Sequence, residues 1–150
     1  MRQALAAAHE AGERGEVPVG ACIVAGDVIL AVAGNRTRTD SDPTAHAEIV
    51  ALRNAAKSGN YRLTDARVYS TIEPCVMCAG ALIQARVSRL VYGARDERAG
   101  AVESHFRVCD TDFLNHRIAV TAGVLEAECR ELMQRFFRAR RGNQGMRAEG

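Results

Sequence analysis

The segment Glu73-Pro74-Cys75-Val76-Met77-Cys78 decides the prediction of the fold, because it joins an expected strand to an expected helix and carries two thiols at the junction. The β-branched run Val68–Ile72 precedes it and predicts a buried strand. Residues 76–85 then predict a helix, and the apolar run Leu90–Tyr92 predicts a second strand. A strand, a helix and a strand in so short a length predict a right-handed crossover between parallel strands.

The remaining segments predict further helices and strands around this unit. Two apolar runs flank the turn Ala25-Gly26-Asp27, which is typical of a β-hairpin. Residues 96–115 form a long mixed-charge segment with weak periodicity, and loops of that length in compact domains are usually functional or mobile. The other expected helices span residues 2–15, from 42–44 to about 58, and 124–141, and the other expected strands span residues 17–24, 28–33 and 118–121.

His46, Cys75 and Cys78 have the spacing of three ligands to one metal ion. The two cysteines are three residues apart at a helix start, which places both sulfurs on one helical face. The positive end of that helix favours their thiolate forms. Zinc takes Cys and His ligands, and a catalytic zinc keeps one tetrahedral position open, whereas a structural zinc usually has four protein ligands. The set therefore predicts one catalytic zinc ion per subunit.

Glu48 lies two residues after the histidine and is the expected catalytic acid and base. Residues two apart do not share a helical face, so the hypothesis requires the metal to lie beyond the end of the helix that carries both. From there the carboxylate would take a proton from water and return it to a leaving group, a role that a structural zinc site does not need. Simpler interpretations remain open, because a Cys-x-x-Cys pair can occur by coincidence or in a closed structural site, and a histidine at a helix start often caps the helix or fills the core.

Length and composition predict one domain with a single hydrophobic core. The chain has 150 residues, of which 47% are apolar and 25% are charged. We expect a catalytic domain over residues 1–141 and a flexible tail over residues 142–150. The chain shows no run of 18 apolar residues and nothing like a signal peptide, so the expectation is a cytoplasmic protein with no membrane partner.

The five cysteines indicate metal binding rather than disulfide bonds. Their number is odd, and the chain lacks the dense cysteine usage of small secreted proteins. Cys22 and Cys129 lie in apolar stretches and are predicted to be small buried hydrophobic residues.

The net charge of +2 hides a local concentration of arginines in the last predicted helix. Such a patch can attract phosphate groups even when the whole chain is close to neutral. The alternative is an ordinary solvated helix face, and composition does not separate the two interpretations. The arginines of this helix are Arg135, Arg138, Arg140 and Arg141.

Beyond these spacings, the chain resembles the cytidine deaminase superfamily and, within it, the bacterial tRNA-specific adenosine deaminases. The metal motif alone is shared with deaminases of free bases, whereas the surrounding segments and the Phe-Phe-Arg end resemble the tRNA enzymes. The resemblance extends over nearly the whole chain, because the matching segments are spread from residue 16 to residue 138. They are Glu16–Ala21, Gly34–Arg36, Asp42–Ile49, Asn60–Leu63, Glu73–Ala81, Gly93–Asp96 and Phe136–Arg138.

The resemblance implies a three-layer α/β/α fold around a central five-stranded mixed sheet, usually assembled as a homodimer. It implies hydrolysis of adenosine to inosine at the wobble position of an arginine tRNA, whose anticodon stem-loop would be the partner, and no DNA partner. Zinc would be held by His46, Cys75 and Cys78, with Glu48 as the proton shuttle. An anticodon loop offers partly unstacked bases, so taking one out of the stack costs only about a few kcal/mol.

The same resemblance implies a set of substrate-binding residues. Asn35 would hydrogen-bond the flipped base and Val19 would line its pocket, although an asparagine here can also be a simple turn residue after a strand. Phe136 and Phe137 can both be core aromatics, and we favour that interpretation for Phe136. The remaining expected substrate contacts are Ala47, Asp96, Phe137, Arg138, Arg140 and Arg141.

Residues 102–113 depart from the family pattern, which has a Gly-Ser-Leu type of stretch after Gly100-Ala101. This segment is expected to touch a partner subunit or the RNA. Two other functions stay open. The first is deamination of a free base such as guanine or cytosine, and the second is a zinc-stabilised RNA-binding subunit without turnover.

Overall fold

A computed structural model of the chain describes residues 1–148, with their side chains through residue 145. Within this range the chain forms four helices and five strands, numbered in chain order. These elements are α1 (Arg2–Glu13), β1 (Gly20–Ala25), β2 (Val28–Gly34), α2 (Ala47–Ala56), β3 (Ala66–Ile72), α3 (Val76–Gln84), β4 (Arg89–Ala94), β5 (Ala119–Ala122) and α4 (Glu126–Ala148).

The strands form one mixed sheet in the order β2-β1-β3-β4-β5. Strand β1 is antiparallel to both β2 and β3, whereas β4 is parallel to both β3 and β5. Tyr69 of β3 lies opposite Val91 of β4, and α3 connects the two strands. The predicted parallel crossover is therefore confirmed.

Helices α1 and α4 cover one face of the sheet, and α2 and α3 cover the other, so the expected three-layer α/β/α fold is confirmed. Two glycines allow the helices of the first face to approach the strands closely. A Cβ atom at Gly20 would overlap the carbonyl oxygen of Ala4 in α1. A Cβ atom at Gly93 would lie 2.5 Å from the Sγ atom of Cys129 in α4. At these two glycines, α1 and α4 thus pack directly against the backbone of β1 and β4.

The larger hydrophobic core lies between the sheet and the layer formed by α2 and α3. Ile23, Val68 and Leu90 of the sheet are fully buried there, together with Leu82 of α3. A smaller cluster lies between the sheet and α1 and α4, and consists of Leu5, Ala94 and Cys129. The burial predicted for Cys22 and Cys129 is confirmed. Across the described residues, no helix has the length and apolar content needed to cross a bilayer.

The second helix starts later than the sequence predicted. It begins at Ala47, because residues 42–44 form a turn in which Asp42 Oδ1 accepts hydrogen bonds from the Thr44 amide (2.8 Å) and hydroxyl (2.7 Å). A side chain that bonds the backbone in this way competes with helix formation. His46 therefore precedes the helix in an extended conformation (φ −65°, ψ 153°) instead of lying inside its first turn.

The last helix is longer than predicted. It begins at Glu126, after Leu125 at a positive φ of 53°, and it continues to Ala148 instead of ending at Arg141. Residues 142–148, which were expected to be a frayed tail, are thus helical. They include Gln, Met, Arg and Ala, whose helix propensity offsets the two glycines. The last two residues of the expected tail lie outside the described range.

Candidate active site

The three expected metal ligands lie at the amino-terminal ends of two helices that meet over the larger core. His46 is the N-cap residue of α2, and Cys75 is the N-cap residue of α3 with an extended backbone (φ −74°, ψ 176°). Cys78 lies in the first turn of α3 and is fully buried. Because the partial positive charge of both helix ends points at this place, anionic sulfur ligands are favoured there.

The separations of the ligand atoms fit a zinc ion. His46 Nδ1 lies 3.6 Å from Cys75 Sγ and 3.5 Å from Cys78 Sγ. A zinc ion with Zn–S bonds of about 2.3 Å and a Zn–N bond of about 2.05 Å at tetrahedral angles requires N···S separations of about 3.6 Å. The donor set of one imidazole and two thiols is also a set that zinc prefers. The geometry identifies Nδ1 as the nitrogen that faces the sulfurs, which the sequence left open.

The pKa values of the two thiols shift in opposite directions. The hydrogen bond from Cys78 lowers the pKa of Cys75 to about 3, and His46 contributes to the same shift. The same hydrogen bond, together with burial, raises the pKa of Cys78. Binding of a divalent cation would displace the remaining proton, because thiolates are the form that ligates metals.

Glu48 is buried beside this set and has a free carboxylate oxygen. Its side chain is 3% exposed, and no described residue hydrogen-bonds its Oε1 atom. Burial raises the pKa of Glu48 above its ordinary value. A buried carboxylate oxygen without a protein partner is costly, so its presence beside the metal ligands indicates a functional role.

A cavity of about 320 Å³ opens onto this group and is called the base cavity below. It is formed by segments that lie far apart in the chain. His46, Glu48 and Cys75, which carry the expected zinc-binding and acid–base groups, line part of it. Five of the expected substrate-binding residues line it as well, namely Val19, Asn35, Ala47, Asp96 and Phe137. The other lining residues were not predicted from the sequence, and they are Val17, Thr37, Ile72, Glu73, Ala99 and Met133.

Asn35 lies at the wall of the base cavity directly after β2. Its amide N–H donates to the carbonyl oxygen of Val19 (3.0 Å), and its side-chain Nδ2 donates a long hydrogen bond to the hydroxyl of Thr37 (3.4 Å). The residue thus fixes the end of the strand and also presents an amide group to the cavity.

A second cavity of about 730 Å³ adjoins the base cavity and is called the basic cavity below. Asp96 and Phe137 are among the residues that line both cavities, so the two cavities adjoin. Arg95 and Arg130 pair with glutamates, whereas the other three arginines have no acidic partner among the described residues. The arginines that line the basic cavity are Arg95, Arg98, Arg130, Arg138 and Arg141.

Arg140 does not share this position with its neighbours in α4. Its guanidinium carbon lies 5.3 Å from the ring centroid of Phe136, and the pair lines a separate cavity of about 370 Å³ together with Arg38. Phe136 is only partly buried, so the expectation that it belongs to the core was wrong. Phe137 on the adjacent side of the helix faces the base cavity instead.

Comparison with known proteins identifies the family. Residues 1–94 match the family of the cytidine and deoxycytidylate deaminase zinc-binding region. The chain belongs to this family. It is 49% identical over 144 residues to the tRNA-specific adenosine deaminase of Haemophilus influenzae, a match that covers 94% of the chain and 83% of that protein. It is 46% identical over 142 residues to the enzyme of that name from Agrobacterium fabrum, with 94% and 93% coverage.

Solved structures of relatives agree with this assignment. One comes from a study of A-to-I editing by tRNA:A34 deaminases at the wobble position of transfer RNA. It superposes with a TM-score of 0.85 at 47% identity and covers 88% of this chain and 96% of its own. A guanine deaminase from Bacillus subtilis superposes less well, with a TM-score of 0.61 at 33% identity, and covers 94% and 90% of the two chains.

We expect the purified protein to hold one zinc ion per chain, and we expect Cys78→Ser to lose it. Serine offers a hydroxyl oxygen where the buried site needs a thiolate, so zinc content measured by mass spectrometry after dialysis should fall from about one to near zero. Cys22→Ala is the matched control, because Cys22 is buried in β1 away from the site. Full zinc retention by Cys78→Ser, or equal loss from Cys22→Ala, would contradict the assignment of the ligands.

Proposed function

We propose that this protein hydrolyses adenosine to inosine at the wobble position of transfer RNA, with zinc held by His46, Cys75 and Cys78. One observation carries the proposal, namely a buried Glu48 carboxylate with an unpartnered oxygen in a cavity shared with the zinc ligands. The names of the relatives supply the substrate class, because both curated proteins are tRNA-specific adenosine deaminases.

Zinc, when bound, supplies a Lewis acid that makes water nucleophilic at neutral pH. Glu48 is the group that moves protons. It takes one proton from the attacking water and delivers it to N1 of adenine as C6 is attacked. It then takes the second proton, from the hydroxyl now on C6, and delivers it to the amino group, which leaves as ammonia while the C6 carbonyl forms. Because the carboxylate is buried, its exchange with bulk water is restricted during these transfers. Val19 and Asn35 hold the base against the zinc ligands, and Ala47 keeps the wall between His46 and Glu48 small.

The basic cavity supports RNA as the substrate rather than a free base. A base that leaves its stack brings its flanking phosphates with it, and those phosphates need positive charge beside the base cavity. Arg98, Arg138 and Arg141 line that neighbouring space without acidic partners among the described residues. Asp96 and Phe137 lie where the two cavities meet, so they can contact both the flipped base and the nucleotides next to it.

The finer expectations belong to the same proposal. We infer that an arginine tRNA is among the substrates, that residues 1–141 form the catalytic unit, and that the protein works in the cytoplasm where tRNA is found. Every residue that lines the base and basic cavities falls within residues 1–141, which supports this boundary.

Deamination of free guanine is the second candidate. The similarity to guanine deaminases from Bacillus subtilis and Nitrosomonas europaea, at 33% and 26% identity, favours it. A free base carries no phosphate, however, and would leave the basic cavity without a use. A zinc-stabilised RNA-binding subunit is a weaker candidate, because binding alone needs no buried carboxylate at the zinc ligands.

We expect an anticodon stem-loop with adenosine at the wobble position to yield inosine, measured by mass spectrometry of its nucleosides. Glu48→Gln should lower the turnover rate by about 10²–10⁴-fold, the usual contribution of a general acid and base, and should retain zinc. Release of ammonia from free guanine but not from the stem-loop would establish the second candidate. Wild-type turnover by Glu48→Gln would remove the proton-transfer role.

The basic cavity can be tested by the salt dependence of binding. We expect Arg98→Gln and Arg138→Gln each to weaken stem-loop binding and to reduce the slope of log K against log salt by about one for each phosphate that is no longer neutralised. Arg89→Gln is the control, because Arg89 lies at the opposite end of β4 from the cavity. An unchanged salt slope in both cavity variants would place the RNA backbone elsewhere.

We also propose that two copies of the chain associate through the face of α2 and α3. Val76 of α3 and Tyr61, which follows α2, are 59% and 75% exposed. Tyr61 also lines a shallow cavity between the two helices, whose lining combines apolar residues such as Leu52 and Ala81 with Arg53, Arg62 and Arg86. Sedimentation should give twice the mass of one chain, and Tyr61→Arg should shift it toward the mass of a single chain. A single-chain mass for the wild-type protein would contradict the dimer.

A further inference from the structure

Glu73 directly follows β3 and precedes the metal motif, and its buried carboxylate binds the backbone of one loop. The side chain is 1% exposed. All of its hydrogen bonds come from residues 96–104, called the rim loop below. The donors are the backbone amides of Asp96 (3.2 Å), Val102 (3.1 Å), Glu103 (2.9 Å) and Ser104 (2.9 Å), and the hydroxyl of Ser104 (2.5 Å).

The rim loop fits so closely that it has no space for a side chain at Gly100. A Cβ atom there would overlap the Cδ atom of Glu73 and would lie 2.5 Å from the carbonyl oxygen of Asp96. The next residue, Ala101, donates its amide hydrogen to the carbonyl oxygen of Pro74 (2.9 Å). The loop is thereby tied to the segment that carries Cys75.

The part of the rim loop held in this way lies where the base cavity meets the basic cavity. Asp96 and Ala99 line both cavities, and Arg98 lines the basic one. The carboxylate of Asp96 accepts hydrogen bonds from the amides of Arg98 (3.0 Å) and Ala99 (3.1 Å). Glu73 therefore fixes both ends of the segment, while Asp96 orders its middle.

We propose that Glu73 is a positioning residue for substrate binding, which holds Asp96 and Arg98 where the RNA passes from one cavity to the other. The inference rests on the proposed function. Glu73 itself does not need to contact the RNA, because its effect is carried by the loop. The hydrogen bonds of Glu73 are almost all to backbone amides. Glu73 therefore sets the position of the rim loop and does not alter the chemistry of the loop's side chains.

A second loop at the base cavity is held in a similar way, which supports a role in shaping the cavity. Glu16 is fully buried, and its carboxylate accepts hydrogen bonds from the amides of Arg38 (2.7 Å) and Thr39 (3.0 Å). This loop carries Thr37, which lines the base cavity beside Asn35. Each of the two loops thus depends on one buried carboxylate that binds its amides.

Glu73→Gln is the direct test. The amide replaces one acceptor oxygen by a donor, so at least one rim-loop amide loses its partner and the loop loosens. We expect KM for the anticodon stem-loop to rise about tenfold, with kcat within about twofold and one zinc per chain retained. Ser104→Ala removes a single hydroxyl and should raise KM by a smaller factor, and Gly100→Ala should reproduce the KM effect with Glu73 intact.

Glu10→Gln is the control for the loss of one negative charge, because Glu10 is exposed on α1 and lines neither the base nor the basic cavity. It should leave KM and kcat unchanged. A fall in kcat and zinc content with unchanged KM in Glu73→Gln would indicate general destabilisation and would overturn the positioning role. An unchanged KM in both Glu73→Gln and Gly100→Ala would overturn it as well.

Hydrogen exchange gives a test that does not need turnover. The amides of Val102, Glu103 and Ser104 should exchange slowly in the wild-type protein and faster in Glu73→Gln, with exchange in the sheet unchanged. Equal rim-loop exchange in the two proteins would refute the structural basis of the inference. A wild-type protein that made no inosine would refute the proposed function, and the exchange result would still decide whether Glu73 orders the loop.

Discussion

The site depends on the meeting of two helix amino-termini over the end of the sheet. The beginning of α2 supplies His46 and the beginning of α3 supplies both cysteines, so neither helix can form the metal site alone. Three features bring them together: the parallel pairing of β3 with β4, the crossover through α3, and the packing of both helices on the larger core. The separation of the ligand atoms is thus set by the long-range packing of the whole fold.

The sequence predicted the parts of this arrangement that are encoded by spacing. The crossover and the hairpin each follow from residues close together in the chain, and both are present. The ligand set follows from two short motifs that lie 29 residues apart, and the fold brings their ligand atoms together. The start of α2 was predicted wrongly because the hydrogen bonds of the Asp42 carboxylate compete with the helix. The extended backbone that results at His46 is what allows its ring to leave the helix axis and reach the sulfurs.

The residues that sequence analysis missed come from elements that meet only in the folded chain. Arg98 follows β4, yet it joins Arg138 and Arg141 of α4 in one cavity. Arg138 and Arg141 are three residues apart and share a helical face, whereas Arg140 does not, so helical spacing alone could have separated Arg140 from the others. The departure of residues 102–104 from the family pattern has a related reason, because Glu73 binds mainly their backbone amides and these are present whatever the side chains are.

The close approach of Gly93 to Cys129 affects the width of the base cavity. Cys129, Met133 and Phe137 are spaced four residues apart, so they lie along one side of α4, the first against the sheet and the other two at the base cavity. Because Gly93 has no side chain, α4 lies close to the sheet there, and the same helix carries Met133 and Phe137 to the base cavity. A side chain at Gly93 would overlap Cys129 and the carbonyl oxygen of Thr71, so the bare backbone at this one position is what lets the base cavity keep its present width.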